Sequence, residues 1–119
     1  MAYKKASTFE FAYVYALVDP RTKLVRYVGQ TTRINMRFKQ HISEGKHSPY
    51  KRRKRIIWLS ELVSQKLQPE IVILEKCRRE DGEAREMHWI TQMLSAGCSL
   101  ANDERVLKRA VHNLLEIAY

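Results

Sequence analysis

The N-terminal third of the chain contains a spaced set of side chains that could act on a phosphate. Tyr13, Tyr15 and Tyr27 fall in two segments of strand-like composition, and Arg37 and His41 follow one helical turn apart. A guanidinium can grip two phosphate oxygens at once, and an imidazole can bind an anion or transfer a proton near neutral pH. Packing explains tyrosines in strands, but it does not explain the cationic residues that follow them.

Composition predicts a polyanionic partner. The 119 residues include 22 Lys and Arg against 13 Asp and Glu, which gives a formal net charge of +9. Six of the cations lie in the ten residues from Lys46 to Arg55, with Tyr50 among them. Such a cluster can neutralise phosphates, although a charge that serves only solubility or a nuclear-localisation run has the same composition.

The cysteines and histidines indicate neither a metal cluster nor a disulfide framework. Cys77 and Cys98 are isolated, and none of the four histidines is spaced so as to group with them. We therefore predict no zinc site and a reducing compartment. No segment approaches the ~20 apolar residues that cross a bilayer, and no signal-peptide cleavage site follows the first apolar run. We predict an intracellular protein, cytoplasmic or nucleoid-associated, that is neither secreted nor held in a membrane.

Three segments have the composition of β-strands. Residues 11–18 and 24–28 are rich in aromatic and β-branched side chains, and the turn residues 19–22 between them predict a hairpin. Gly29 is predicted to end the second strand. The apolar run over residues 69–77 predicts a third, largely buried strand.

The periodicity changes to that of helices from about residue 32. The first helix is predicted to bury Ile34, Phe38 and Ile42. Its neighbouring stripe is predicted to be cationic and contains Arg33, Arg37 and His41. Further helices are predicted around residues 56–63, over 81–96 with Gly97 as a cap, and from an N-cap at 102–103 to about 117. The buried face of the third helix is predicted at Ala84, Met87, Ile90 and Leu94, with Glu86 at its edge.

The order of these residues resembles that of the GIY-YIG nuclease family. The two tripeptides that name the family appear as YVY at 13–15 and YVG at 27–29. Arg37 and His41 follow, then Glu86 within EMHWI and Asn102 at the end of SLAN. The resemblance covers residues 13–102. Tyr13 stands where the family name has glycine, and DERV after Asn102 lacks the glycines often found there.

The resemblance implies a fold and a domain organisation. We expect an α+β domain with a three-stranded antiparallel β-sheet flanked by α-helices and an additional C-terminal helix. The predicted boundaries are an N-terminal extension over residues 1–10, a nuclease domain over 11–102 and a C-terminal helix over 103–119 packed on the same domain. A small standalone endonuclease of this kind is typical of phages or mobile elements.

The resemblance also implies divalent-metal-dependent hydrolysis of nucleic-acid phosphodiesters. The implied catalytic residues are Tyr15, Tyr27, Arg37, His41, Glu86 and Asn102. Glu86 would bind Mg²⁺ or Mn²⁺, because a single carboxylate suits an ion that keeps several waters. Arg37 would hold the scissile phosphate with its planar fork.

The resemblance leaves more than one role open for each of the other four implied residues. Tyr15 is the candidate general base or water-orienting group, and Tyr27 would support it or the phosphate. His41 could bind phosphate or donate a proton. Asn102 would fix the loop or a water near the site, or would serve only as a helix cap.

The basic residues are predicted to follow the nucleic-acid backbone without reading its sequence. They are Arg33, Lys39, Lys46, Lys51, Arg52, Arg53, Lys54 and Arg55. The expected partner is DNA, including branched or single-stranded regions, and no protein partner is implied.

Two alternatives to a DNA endonuclease use the same composition. A basic nucleic-acid-binding module could keep the fold and cleave little or not at all. A helix-turn-helix-like regulator or an RNA-binding protein would fit the charge and the short helices. This last class gives no reason for tyrosine, arginine, histidine and glutamate at these spacings.

Overall fold

The computed structural model describes residues 9–50 and 52–118 of the chain. Its strands are β1 (Phe11–Val18), β2 (Val25–Thr31) and β3 (Glu70–Arg78). Its helices are α1 (Ile34–His47), α2 (Lys54–Ser64), α3 (Gly82–Ser95) and α4 (Glu104–Ala118), with a short 3₁₀ turn (Arg79–Asp81) before α3. The three strands form one antiparallel sheet, so the predicted α+β fold with its C-terminal helix is confirmed. Within the described residues, no helix combines the length and the apolarity needed to cross a membrane.

The hairpin of β1 and β2 supplies the central strand, β1, and one edge strand, β2, of a sheet whose strand order is β2-β1-β3. Its predicted turn chemistry is present, because the Arg21 backbone N–H donates to the Asp19 carboxylate at 2.8 Å. Beyond the turn, β2 does not end at Gly29 as predicted but continues to Thr31. Gly29 pairs with Tyr15 across the ladder, and a Cβ there would lie 2.6 Å from the Tyr15 hydroxyl. The glycine therefore provides room for the tyrosine rather than a strand end.

Strand β3 lies at the edge of the sheet, so the prediction that it is largely buried is wrong. Val72 and Ile73 are about half exposed. Val14 pairs with Glu75 while Tyr15 pairs with Ile73, which leaves Leu74 as the extra residue of a β-bulge. The bulge interrupts the alternation of buried and exposed side chains along β3. An apolar run in the sequence does not distinguish such an edge from an interior strand.

The sheet separates two apolar clusters, each covered by a pair of helices. One cluster, on the α2 side, contains Tyr15, Leu17, Tyr27, Trp58, Leu59 and Leu62. The other, on the α3 and α4 side, contains Val14, Val28, Ile90, Leu100 and Ala110. Because successive side chains of a strand point to opposite faces, the tyrosines of β1 and β2 share one face. Helix α3 packs on the other face.

The ends of α3 show one confirmed prediction and one correction. Gly97 has φ of 89°, and its N–H and that of Cys98 donate to the carbonyls of Leu94 and Met93 at 3.0 and 2.9 Å. This pair of bonds is the Schellman motif expected at a glycine cap. Ala84, which was predicted to be buried, is exposed. Gly82 at the start of α3 packs on the sheet, but Ala84 borders an open cavity.

Asn102 closes the outer edge of β2. Its side-chain amide accepts from the Val28 N–H at 3.1 Å and donates to the Val28 carbonyl at 2.7 Å. The backbone N–H of the preceding residue, Ala101, donates to the Arg26 carbonyl. Asn102 is not the N-cap of α4, because Asp103 accepts the first helical bond, from Leu107 at 3.0 Å. Of the alternatives for Asn102, the structure favours holding backbone geometry.

Replacing Asn102 with alanine is expected to lower the free energy of unfolding by about 2 to 4 kcal/mol, because two buried backbone groups of Val28 would lose their partner. Urea unfolding followed by circular dichroism measures the change. Asn35→Ala, at an exposed position of α1, is the control and is expected to change stability by less than about 0.5 kcal/mol. A loss at Asn102 no larger than this control would contradict the assignment.

Candidate active site

Three aromatic side chains meet between the sheet and α1. The Tyr15 hydroxyl lies 2.7 Å from His41 Nε2. The Tyr27 ring centroid is 6.3 Å from that of Tyr15 and 5.2 Å from that of His41. The strand register sets the tyrosines side by side, and α1 places His41 above them. Two of these side chains, Tyr15 and His41, are completely buried.

His41 is held neutral. Burial, together with the charge of Arg37, lowers its pKa to about 4, and Glu44 opposes this change. The prediction of a cationic stripe is therefore wrong at His41, because the imidazole is neutral in the resting site at neutral pH. Nδ1 lies 2.9 Å from Glu44 Oε1. Since an ionised carboxylate only accepts, Nδ1 carries the proton and Nε2 accepts from Tyr15.

The Tyr15 phenol keeps its proton at neutral pH. Burial is the largest influence and raises its pKa above the usual value, and the neighbouring Tyr27 raises it further. Arg37 acts in the opposite direction but does not outweigh burial. Tyr15 is therefore a hydrogen-bond donor to His41 rather than a standing phenolate. A proton can leave its hydroxyl only toward Nε2.

Arg37 supplies a fixed positive charge beside the tyrosines. Burial acts to lower its pKa, but Tyr15 and Tyr27 raise it and the net direction is upward. Its Nη1 donates to Gln40 Oε1 at 3.1 Å. The guanidinium also lines an open cavity of about 490 Å³ that continues along α1 to Tyr50. The cation is therefore accessible to a ligand from solvent.

Glu86 approaches this cluster from the other face of the sheet. Burial, together with the charge of Glu83, raises its pKa to about 7, and a hydrogen bond from the Gln30 backbone and the charge of Arg37 oppose this rise. The same carboxylate acts on the pKa of Tyr15. Glu86 also lines a cavity of about 640 Å³ next to Gln30 and Glu83. The structure thus brings together Tyr15, Tyr27, Arg37, His41 and Glu86.

The donors around Glu86 fit an ion that needs few protein ligands. Nowhere in residues 9–50 and 52–118 do three or more His, Cys, Asp or Glu side chains gather as a metal-binding group. Mg²⁺ and similar ions are bound through one or two carboxylates and complete their coordination with water and substrate phosphate. The open cavity beside Glu86 has room for such a hydrated ion. A closed structural zinc site would require donors that this cavity does not offer.

The predicted nucleic-acid-binding residues divide into free and engaged cations. Lys39, Lys46 and Arg52 are exposed, while Arg33 and Arg53, also exposed, lie over the rings of Phe9 and Tyr50. Lys54 is paired with Glu104, and Arg55 is largely buried against Glu44. Lys51 lies outside the described residues. The basic run is therefore not one continuous exposed patch.

Glu44 and Gln30 contact the site and were missed by sequence reasoning, and Arg55 was predicted only as a nucleic-acid-binding residue. The spacing of Glu44, three residues after His41 on a helix, was the one signal that could have indicated it. Arg55 was hidden in the basic run. Gln30 follows the second tripeptide directly, and its side chain packs against Gly82, where a Cβ would be 2.6 Å from its Oε1.

The low pKa of His41 predicts a loss of stability in acid. The unfolded chain has a histidine pKa of about 6.5 and the folded chain of about 4, so the unfolded state binds more protons between these values. Stability therefore falls as pH falls through this window, by about 3 kcal/mol in total from this residue. Urea unfolding from pH 7 to pH 4 measures it. His41→Gln is expected to flatten the dependence of the free energy of unfolding on pH, and His47→Gln, at an exposed position, is expected to leave it unchanged. Equal slopes in the wild type and both variants would contradict the prediction.

Comparison with known proteins identifies the family. The sequence model of the GIY-YIG catalytic domain matches residues 11–98, from the start of β1 to the residue after Gly97. Neither the curated proteins nor the solved structures gave a significant match. The GIY-YIG domain is a nuclease domain, which implies a nucleic-acid substrate. Since the matched segment spans well over half of the 119 residues, the chain belongs to the GIY-YIG family.

Proposed function

We propose that this protein is a DNA endonuclease that hydrolyses phosphodiester bonds with the help of a divalent metal ion. The observation that carries the proposal is the buried hydrogen bond from the Tyr15 hydroxyl to a neutral His41. Arg37 and Glu86 act electrostatically on the same phenol. The site thus combines a proton acceptor, a cation for the phosphate and a carboxylate for a metal.

Tyr15 and His41 together would remove a proton from the attacking water, once substrate binding admits that water to the Tyr15 hydroxyl, which is completely buried in the free protein. As the water oxygen bonds to phosphorus, its proton passes to the Tyr15 oxygen while the phenol proton moves to His41 Nε2. Tyr15 therefore never carries a full negative charge, which burial disfavours. Proton transfer of this kind contributes about 10²-fold to 10⁴-fold in rate.

Arg37 would bind the scissile phosphate. Its guanidinium is charged, borders open solvent and lies beside the phenol that receives the water proton. A planar fork can bind two non-bridging oxygens and stabilises the charge that develops on them in the transition state. Binding there would bring the phosphorus atom close to Tyr15.

Glu86 would hold Mg²⁺ or Mn²⁺ in the cavity next to Gln30. When bound, such an ion stabilises negative charge on the phosphoryl and leaving oxygens. The carboxylate is costly to ionise where it lies, since burial raises its pKa to about 7. A bound cation would favour its ionised form. The departing oxygen takes its proton from solvent.

The exposed cations would guide the DNA backbone toward Arg37. Lys39, Lys46 and Arg52 are exposed and form no ion pair with another described residue, so they are available for phosphate contacts. The cavity from Arg37 to Tyr50 follows α1 and is also lined by Gln40, Ser43 and Glu44, whose carboxylate is paired with Arg55. The unpaired strand of a branched DNA would follow this open cavity toward Arg37.

A cleavage panel tests the metal dependence and Glu86. Supercoiled plasmid, duplex and branched DNA are incubated with Mg²⁺, Mn²⁺ or EDTA, and products are resolved on gels. We expect nicking with either metal, none with EDTA and at least a 100-fold loss for Glu86→Gln with DNA binding retained. Glu61→Gln, at an exposed position of α2 away from this cavity, is the control. Binding to every substrate without cleavage of any would favour the alternative, a binding module of the same fold.

Removing the Tyr15 hydroxyl tests the proton path. Tyr15→Phe preserves the buried ring and is expected to lower kcat by about 10²-fold to 10⁴-fold. The variant lacks the oxygen that would accept the water proton and the hydroxyl that donates to His41. Single-turnover cleavage with bound DNA measures the rate. Tyr13→Phe changes a phenol two residues away on the same strand and is expected to stay within about twofold of the wild type. Comparable rates for both variants would exclude Tyr15 from proton transfer.

A further inference from the structure

Two charged residues extend the hydrogen-bond chain behind His41. Glu44 lies three residues after His41 on α1, and its Oε1 is 2.9 Å from His41 Nδ1. Its Oε2 is 2.9 Å from Arg55 Nη2, and Arg55 Nε is 3.2 Å from Oε1. The side chains of Glu44 and Arg55 are only 22% and 16% exposed. The contact is thus a bidentate ion pair that is shielded from most solvent.

Close packing of α1 on α2 allows Arg55 to reach Glu44. Gly45 follows Glu44, and a Cβ there would lie 2.8 Å from the Leu59 carbonyl oxygen. The Ser60 hydroxyl donates to the Gly45 carbonyl at 3.2 Å. The Arg55 guanidinium also lies over the Tyr27 ring, 5.5 Å from its centroid. Arg55 therefore contacts both the ion pair and a tyrosine of the site.

Glu44 remains ionised in this environment. Burial acts to raise its pKa, but the charge of Arg55 and the hydrogen bonds from His41 and Arg55 lower it overall. A carboxylate in this state has no proton to donate, so the imidazole must carry its proton on Nδ1. The tautomer of a histidine is set by the bond that its other nitrogen makes. Here that bond is made by Glu44.

We propose that Glu44, held by Arg55, is a positioning residue that fixes the Nδ1–H tautomer of His41 and so keeps Nε2 free to accept the Tyr15 proton. The inference rests on the proposed function. It adds two residues that act through His41 and not directly on the attacking water or the scissile phosphate. Without Glu44, the imidazole can carry its proton on Nε2. That tautomer would donate to the Tyr15 oxygen and would block its use as a proton carrier.

Arg55 has a competing assignment, since it closes a run of cations expected to bind DNA. A residue that binds the DNA backbone would affect KM and the salt dependence of binding. A residue that acts through His41 would affect kcat. A bridge that merely joins α1 to α2 would change stability and leave both the tautomer and the rate of the bound complex unaltered. These three roles are separable by measurement.

The tautomer is measured directly by two-bond ¹H–¹⁵N NMR of the histidine rings, with His41→Gln used to assign the His41 signals. We expect the Nδ1–H form in the wild type. In Glu44→Gln we expect a mixture or the Nε2–H form, because a carboxamide can either accept or donate. Glu61→Gln removes a carboxylate that pairs with Arg21 on the exposed side of α2 and is expected to leave the His41 signals unchanged.

Cleavage kinetics give the second readout. Glu44→Gln is expected to lower kcat by about 10-fold to 100-fold, the range found when an outer hydrogen-bond partner of a functional histidine is lost, with KM for DNA within about twofold. Arg55→Gln is expected to act in the same direction, and Arg55→Lys to recover part of the rate because it keeps the charge. Thermal melting confirms that each variant is folded, and the Arg55 variants replace Glu44→Gln if it does not fold.

The outcomes separate this inference from the function on which it rests. An Nδ1–H tautomer and an unchanged kcat in Glu44→Gln would overturn it, as would a rise in KM alone in the Arg55 variants. If the wild-type protein cleaves no DNA, the proposed function fails. The NMR comparison then still decides whether Glu44 sets the tautomer of His41.

Discussion

The buried hydrogen bond between Tyr15 and His41 constrains the rest of the site. A phenol and an imidazole removed from water are stable only when each polar atom has a partner. Within the described part of the chain, no buried side-chain nitrogen or oxygen lacks one. Gly29 provides the space for the phenol, and Glu44 satisfies the second nitrogen of the imidazole. The same contacts that make burial tolerable also fix the direction in which a proton can move.

The site draws its groups from both faces of a thin sheet. Tyr15, Tyr27, Arg37 and His41 come from the hairpin and α1, whereas Glu86 comes from α3 on the opposite side. The cationic and carboxylate halves therefore rest on separate hydrophobic clusters. Each half is held by its own packing and borders its own open cavity, one beside Arg37 and one beside Glu86. The family assignment and this arrangement agree in pointing to nucleic-acid cleavage.

Sequence patterns predicted the local elements better than their surroundings. The hairpin, the helix carrying Arg37 and His41 and the glycine cap at Gly97 follow from composition and period, which are local properties. The exposure of β3 does not, since an apolar run has the same composition at an edge as in the interior. The neutral state of His41 and the pairing of Arg55 with Glu44 depend on burial between two helices. A basic run in a sequence shows how many cations there are, not which of them already have partners.

The amide of Asn102 joins the C-terminal side of the domain to Val28, 74 residues earlier in the chain. A contact of that sequence separation closes a long loop and tends to form late in folding. Helix α3, with its carboxylate, lies inside the same loop. During synthesis, the hairpin and first helix are translated before either piece exists, so Arg37 and the two tyrosines emerge before Glu86, the carboxylate of the proposed site.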